Sequence, residues 1–236
     1  MVDFVNIHYL GHASFIIQFD NGITILTDYG TSNAYDLDSP IHDFGIVKPD
    51  VITYSHKEHI DHNSGLIPNN NPPILTNSAS LDIKEVRIEP IRTCERSLEE
   101  EDNTSYLFTY KGFKILHLGD AHAYIYNIDQ KKVKECVKKL YPDTYDILLA
   151  TIDGPKPMIN EAEQFIDLLQ PKRIVLMHYW SVKYKNKFLD HLNGLNKNMG
   201  RQYHIQRLKS PKYSVSTLNE SVPPIQVISL EPAAFS

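Results

Sequence analysis

With 236 residues, 42% of them hydrophobic, the chain can bury one large core without dividing into two domains, and disorder is excluded for most of its length. Two cysteines, Cys94 and Cys136, exclude a disulfide framework and a Cys-x-x-Cys metal site, and the net charge of −5 conceals an uneven distribution. No apolar run approaches the roughly 20 residues that span a bilayer, and the first 47 residues lack the basic n-region of a secretory signal. The expectation is a soluble, cytoplasmic protein with no membrane partner.

The first predicted elements are two strands, Phe15–Phe19 and Ile23–Thr27, flanking Asp20-Asn21-Gly22. Asn-Gly between β-rich runs is a strong hairpin signal, and a two-residue turn there places both residues at positive φ. A strand over 51–54 then runs into Ser55-His56-Lys57-Glu58-His59-Ile60-Asp61-His62-Asn63. Three histidines and two carboxylates within seven residues are hard to explain as packing. Neutral imidazole and carboxylate oxygen suit zinc, manganese or iron, and a short loop lets several converge on one or two ions.

A second hairpin is predicted around Lys111-Gly112, between Tyr106–Tyr110 and Phe113–Leu116. Asp129 can cap a helix that carries Val133, Cys136, Val137 and Leu140 on one face. A further helix carries Ala162, Phe165, Ile166 and Leu169 and stops before Pro171. Tyr145–Ala150 and Arg173–Met177 read as buried strands on either side of it. Strands therefore place His56, Asp120 and His178 at or just past their C-terminal ends. Beyond residue 185 the pattern weakens to a short helix over 186–192 and a final strand over 225–230, at a sheet edge or a subunit contact.

The His-rich loop resembles the His-x-His-x-Asp-His signature of the metallo-β-lactamase superfamily. Asp61 and His62 match its closing pair and His59 its second histidine; His56 stands one place earlier than the first, because this chain carries one extra residue. Three further stretches resemble the branch of ascorbate-phosphate lactonases and related metal hydrolases. They are Gly11-His12-Ala13-Ser14 followed by Asp28, His117-Leu118-Gly119-Asp120, and the strand ending in His178. The resemblance runs from about residue 7 to about residue 182 and implies an αββα sandwich, here a single domain over 1–236 with residues 184–236 as a C-terminal extension.

It also implies a metal set of His56, His59, Asp61, His62, Asp120 and His178, with Asp120 bridging two ions. The family's middle histidine is missing, since no histidine occurs between His62 and His117. Glu95 is the expected substitute, with Cys94 next. His12 and His117 are expected to support ligands or structure rather than bind metal, and His12 or Asp28 to orient a ligand by a hydrogen bond. His122, Tyr179 and Trp180 are candidates for substrate contact.

The charge pattern bears on the substrate. Residues 171–212 hold ten lysines and arginines against the single acid Asp190. Such a stretch beside His178 could draw in a small anionic substrate or a nucleic-acid backbone. The expected activity is metal-dependent hydrolysis of a small anionic ester, lactone or phosphoester, with Asp61 and Asp120 catalytic and zinc, as one or two ions, the cofactor. Manganese or iron would also suit. The alternatives are a phosphodiesterase or nuclease, and a degenerate, non-catalytic metal- or ligand-binding protein.

Overall fold

A computed structural model describes residues 4–29, 48–57, 59, 70–77, 79–94, 102–121, 130–153, 156–179, 181–199, 203–217 and 225–232. The first sheet is built from β1 (Phe4–Gly11), β2 (Ser14–Phe19), β3 (Thr24–Thr27), β4 (Val51–Thr53) and β5 (Ile74–Leu75), with β13 (Lys212–Ser216) paired to β1. The second begins as an antiparallel meander of β6 (Leu81–Ile83), β7 (Val86–Thr93), β8 (Asn103–Tyr110) and β9 (Phe113–His117). It continues in parallel through β10 (Ile147–Asp153), β11 (Arg173–Tyr179), β14 (Gln226–Ser229) and the edge strand β12 (His204–Arg207).

The two mixed sheets face one another across a core that includes Ile7, Tyr9, Phe15 and Ile17 from the first sheet and Ile88, Phe108 and Ile115 from the second. Helices α1 (Gln130–Leu140), α2 (Lys156–Leu169) and α3 (Val182–Met199) supply the next layer, with α2 packed on β10 and α3 on β10 and β11. The outer face of the first sheet is apolar and buried as well, through Leu10, Ile16, Leu26, Tyr29, Ile52 and Tyr54. Period-2 strands that bury both faces need cover on both sides. The architecture is therefore the expected α/β sandwich.

Several local expectations hold and some change. The Lys111-Gly112 turn has φ of +48° and +82°, as a two-residue primed turn requires. At Asn21-Gly22 only Gly22 is left-handed, at +87°. Gly22 N–H donates to the Phe19 carbonyl (3.0 Å), while Asn21 Oδ1 accepts from Ile23 N–H (3.0 Å). The loop is thus three residues long and closed by glycine, so the expectation of two positive φ values is corrected. On α1, Val137 is buried but Cys136 is exposed, which narrows the predicted apolar stripe; Asp129 lies outside the described residues.

The C-terminal region departs most from its sequence reading. The short helix over 186–192 is an 18-residue helix, and β14 lies inside the sheet between β11 and β12 rather than at its edge. The segment after α3 joins both sheets, β12 and β14 in the second and β13 in the first. No helix among the described residues is long and apolar enough to cross a membrane.

Candidate metal centre

At one rim of the sandwich the C-terminal ends of β3, β4, β9 and β11 meet the turn between β1 and β2. The sheets are tied there by backbone bonds. Thr104 N–H donates to the Ser55 carbonyl (2.8 Å), and His178 N–H donates to the His12 carbonyl (2.8 Å). Gly119 is indispensable to this closure. It adopts φ +62°, and a Cβ there would sit 2.6 Å from Asn103 Oδ1, the atom that accepts the Asp120 N–H. That close approach explains why glycine precedes the aspartate.

Five side chains converge at the rim. The ligand atoms of buried His12, His59 and His178 all lie within 4.8 Å of one another. Asp120 sits between two of them, its Oδ1 3.1 Å from His178 Nε2 and its Oδ2 3.6 Å from His59 Nε2. Asp28, just past β3, accepts from Ser55 N–H (2.6 Å) and from His59 Nδ1–H (2.9 Å) through the same oxygen. That bond fixes a proton on His59 Nδ1 and turns Nε2, the nitrogen a metal would take, toward Asp120. His117 is held differently. Its Nε2–H donates to the Ala13 carbonyl (2.8 Å) and its Nδ1 accepts from Gly119 N–H (3.1 Å), so both ring nitrogens serve structure.

The electrostatics follow from burial and from these neighbours. Burial alone opposes charge on His59, but Asp120 and Asp28 outweigh it and raise its pKa to about 9. Burial also works against an ionised Asp120, yet His178 and His59 hold its carboxyl well below the usual carboxylate range. His12 is pushed well down by burial, and then by His178 and His59, so it presents a neutral imidazole. The fully buried His117 is lowered by burial in the same direction.

This donor set fits a divalent ion. Asp120 Oδ1 is buried and makes no hydrogen bond, despite His178 Nε2 at 3.1 Å. An oriented imidazole, a carboxylate beside it and an unsatisfied carboxylate oxygen suit zinc, manganese or iron.

Of the residues singled out in the sequence, His59, Asp120 and His178 are brought together. His56 is buried in a bridge to Asn103, its ring 6.0 Å from that of His59, and is not among the three converging histidines. Asp61, His62, Glu95, His122 and Trp180 lie outside the described residues. Cys94 is buried at the end of β7. Tyr179 packs in the core, its ring 6.3 Å from that of Tyr9. Asp28 occupies the orienting position that the sequence suggested for it.

His12 is the residue that sequence reasoning set aside from the centre. Its position between Gly11 and Ala13 at a turn was visible; its left-handed backbone, φ +50°, was not. Asp28 and His178 share that conformation at +41° and +48°. Such strain persists only where the surroundings over-determine it, and it gathers at functional sites.

Among the described members of the basic stretch, Lys172 and Arg173 stand at the opposite end of β11, roughly 16–20 Å from His178 by strand rise. Lys172 meets Asp146 at 2.7 Å, Arg207 donates to Asn186, and Lys185 is buried against the Tyr179 ring.

Residues 6–178 match the family model described as the beta-lactamase superfamily domain. No curated protein matches the chain. Among solved structures, the chain is similar to a metallo-beta-lactamase superfamily protein of Thermotoga maritima. The two are 20% identical, with a TM-score of 0.62, over 96% of this chain and 100% of that one. It is also similar to Igni18, a metallo hydrolase of Ignicoccus hospitalis (18% identity, TM-score 0.57, 82% and 92% covered). A third similar structure is an isothiocyanate hydrolase from Delia radicum gut bacteria (13% identity, TM-score 0.54, 83% and 93% covered). At these identities the structural likeness is one of fold.

Proposed function

The chain belongs to the metallo-β-lactamase superfamily of metal-dependent hydrolases, and from that premise we propose that it hydrolyses a small anionic ester, lactone or phosphoester. The observation that carries the reading is the convergence of His59 Nε2, His178 Nε2 and both oxygens of Asp120 in one buried rim. A divalent ion, zinc in this proposal, would be held by His59, Asp120 and His178. When bound, it would supply Lewis acidity and make hydroxide available near neutral pH.

The chain's own residues set the conditions for that chemistry. Asp28 keeps the His59 proton on Nδ1, away from the site. Asp120, ionised and flanked by two imidazoles, presents one oxygen toward each and suits a bridging position between two ions. Asp61 and His62 would complete the second ion's shell, with Asp61 orienting the attacking water. His56 and Glu95 are the proposed remaining ligands of the first. A small substrate is proposed over a polymer because Lys172, Lys185 and Arg207 are engaged within the fold rather than free to line a continuous charged track. The proposed compartment is the cytoplasm.

Elemental analysis of protein purified without chelator, beside Asp120→Asn, tests the reading. At least one metal equivalent is expected in the parent. In the variant, metal and most turnover of a lactone and phosphodiester panel should be lost while the fold is kept. A folded Asp120→Asn protein with full activity overturns the assignment. A parent without metal, even after zinc, manganese or iron is added back, points instead to a binding protein.

A further inference from the structure

We propose that His12, at the turn between β1 and β2, is a third imidazole ligand of this centre and stands in for the histidine missing between His62 and His117. The inference rests on the metal-centre reading above and puts His12 in the place proposed there for Glu95.

Three observations carry it. The ligand atoms of His12, His59 and His178 lie within 4.8 Å of one another. Imidazoles bound tetrahedrally at Zn–N distances of about 2.0–2.1 Å stand about 3.3 Å apart, so only a small inward adjustment is needed. Second, the spacing is enforced by the main chain. The His12 carbonyl accepts both from His178 N–H (2.8 Å) and from the hydroxyl of fully buried Tyr9 (3.1 Å). Two histidines from different sheets are thereby locked side by side, with ring centroids 4.1 Å apart, and His59 stands edge-on to His12 at 5.4 Å.

Third, His12 holds φ +50°, a conformation that glycine adopts without strain and that costs other residues about 1–3 kcal/mol. The turn between β1 and β2 asks for a positive φ that glycine would meet without strain, yet a histidine stands there with its ring toward His178. Three imidazoles beside the Asp120 carboxylate form a donor set that zinc accepts.

The strained backbone also supplies a clean test. His12→Gly removes the ring from a position whose φ suits glycine, and His178→Gly, at φ +48°, does the same for a ligand of the underlying reading. Zinc affinity by chelator competition, and the imidazole count around bound zinc by X-ray absorption, are measured for both. His12→Gly is expected to lose one imidazole from the count and more than about 100-fold in affinity, beyond the loss typical of a residue that only orients a ligand. Added free imidazole should restore part of that affinity.

An unchanged count and affinity in His12→Gly, with loss in His178→Gly, overturns the inference and leaves the centre standing. No change in either variant overturns both. Should His12→Gly not fold, His12→Asn replaces it, because asparagine also tolerates a left-handed φ.

Discussion

The two ends of the sandwich use the same unusual backbone conformation for different reasons. At the end away from the candidate centre, left-handed residues form hairpins. Lys84-Glu85 joins β6 to β7 and Lys111-Gly112 joins β8 to β9, all four exposed. Two-residue type I′ turns demand positive φ at both positions, so pairing geometry explains these. At the other end Asp28 and His178 are left-handed although β3 and β11 run parallel to their next neighbours and no hairpin requires it. Both are buried and both serve the His59–Asp120 cluster. A positive φ at an exposed turn reports topology; the same angle at a buried carboxylate or imidazole with no hairpin to close reports a site.

The charges differ in the same way. Near β11's start Lys172 pairs with Asp146, and on β7 Arg87 pairs with Glu89, all at least partly in solvent. At the rim Asp120 and Asp28 are buried and, among the described residues, their ionic partners are imidazoles. Pairs of the first kind add little stability, because water screens them and long side chains lose entropy. Groups of the second kind carry a desolvation cost, so their burial marks a site rather than a source of stability.

Three substitutions would break or sharpen that contrast. The largest effect is expected for Gly119→Ala. It combines positive-φ strain with a Cβ forced against Ser55 and Asn103, and should lower stability by about 3 kcal/mol. A denaturant titration checks this; an unchanged midpoint would mean the rim has slack that the geometry does not show. Next is Asp28→Asn, which keeps an acceptor oxygen and tolerates φ +41° while removing the charge behind His59. Zinc affinity by chelator competition should fall about 10–100-fold, with little change in the melting temperature.

The smallest effect is expected at the far end. Lys172→Ala should cost under about 1 kcal/mol in low salt and less in high salt, because the lysine is exposed enough for salt to screen the pair. Thermal melts at two ionic strengths measure it. A loss as large as that of Gly119→Ala would erase the distinction between the two ends.

Much of the local structure was legible. The β-rich runs of β2, β3, β8 and β9 around their glycine turns and the i, i+4 spacing of Ala162 and Ile166 encode elements that neighbours along the chain can specify. The reading weakened where competing local solutions are close in energy. Asn21-Gly22 could close a two-residue or a three-residue loop, and it adopted the longer one, with the Asn21 side chain capping Ile23 N–H. It weakened again after residue 185. Helix α3 is polar on most faces, and its buried Phe188, Leu189 and Leu192 are too few to announce eighteen helical residues.

The sequence by itself determined which residue types were available for metal chemistry and which strand ends carried them, because motif spacing and hydrophobic period are local properties. It pointed to His59, Asp120 and His178, and it showed that a histidine was missing. Only the tertiary structure decided that His12 converges with them, and that Asp28 orients His59 while His117 braces a turn. The reason is distance along the chain. His12, Asp28, His59, Asp120 and His178 span more than 160 residues, and no local pattern records that two sheets will close over them at one rim.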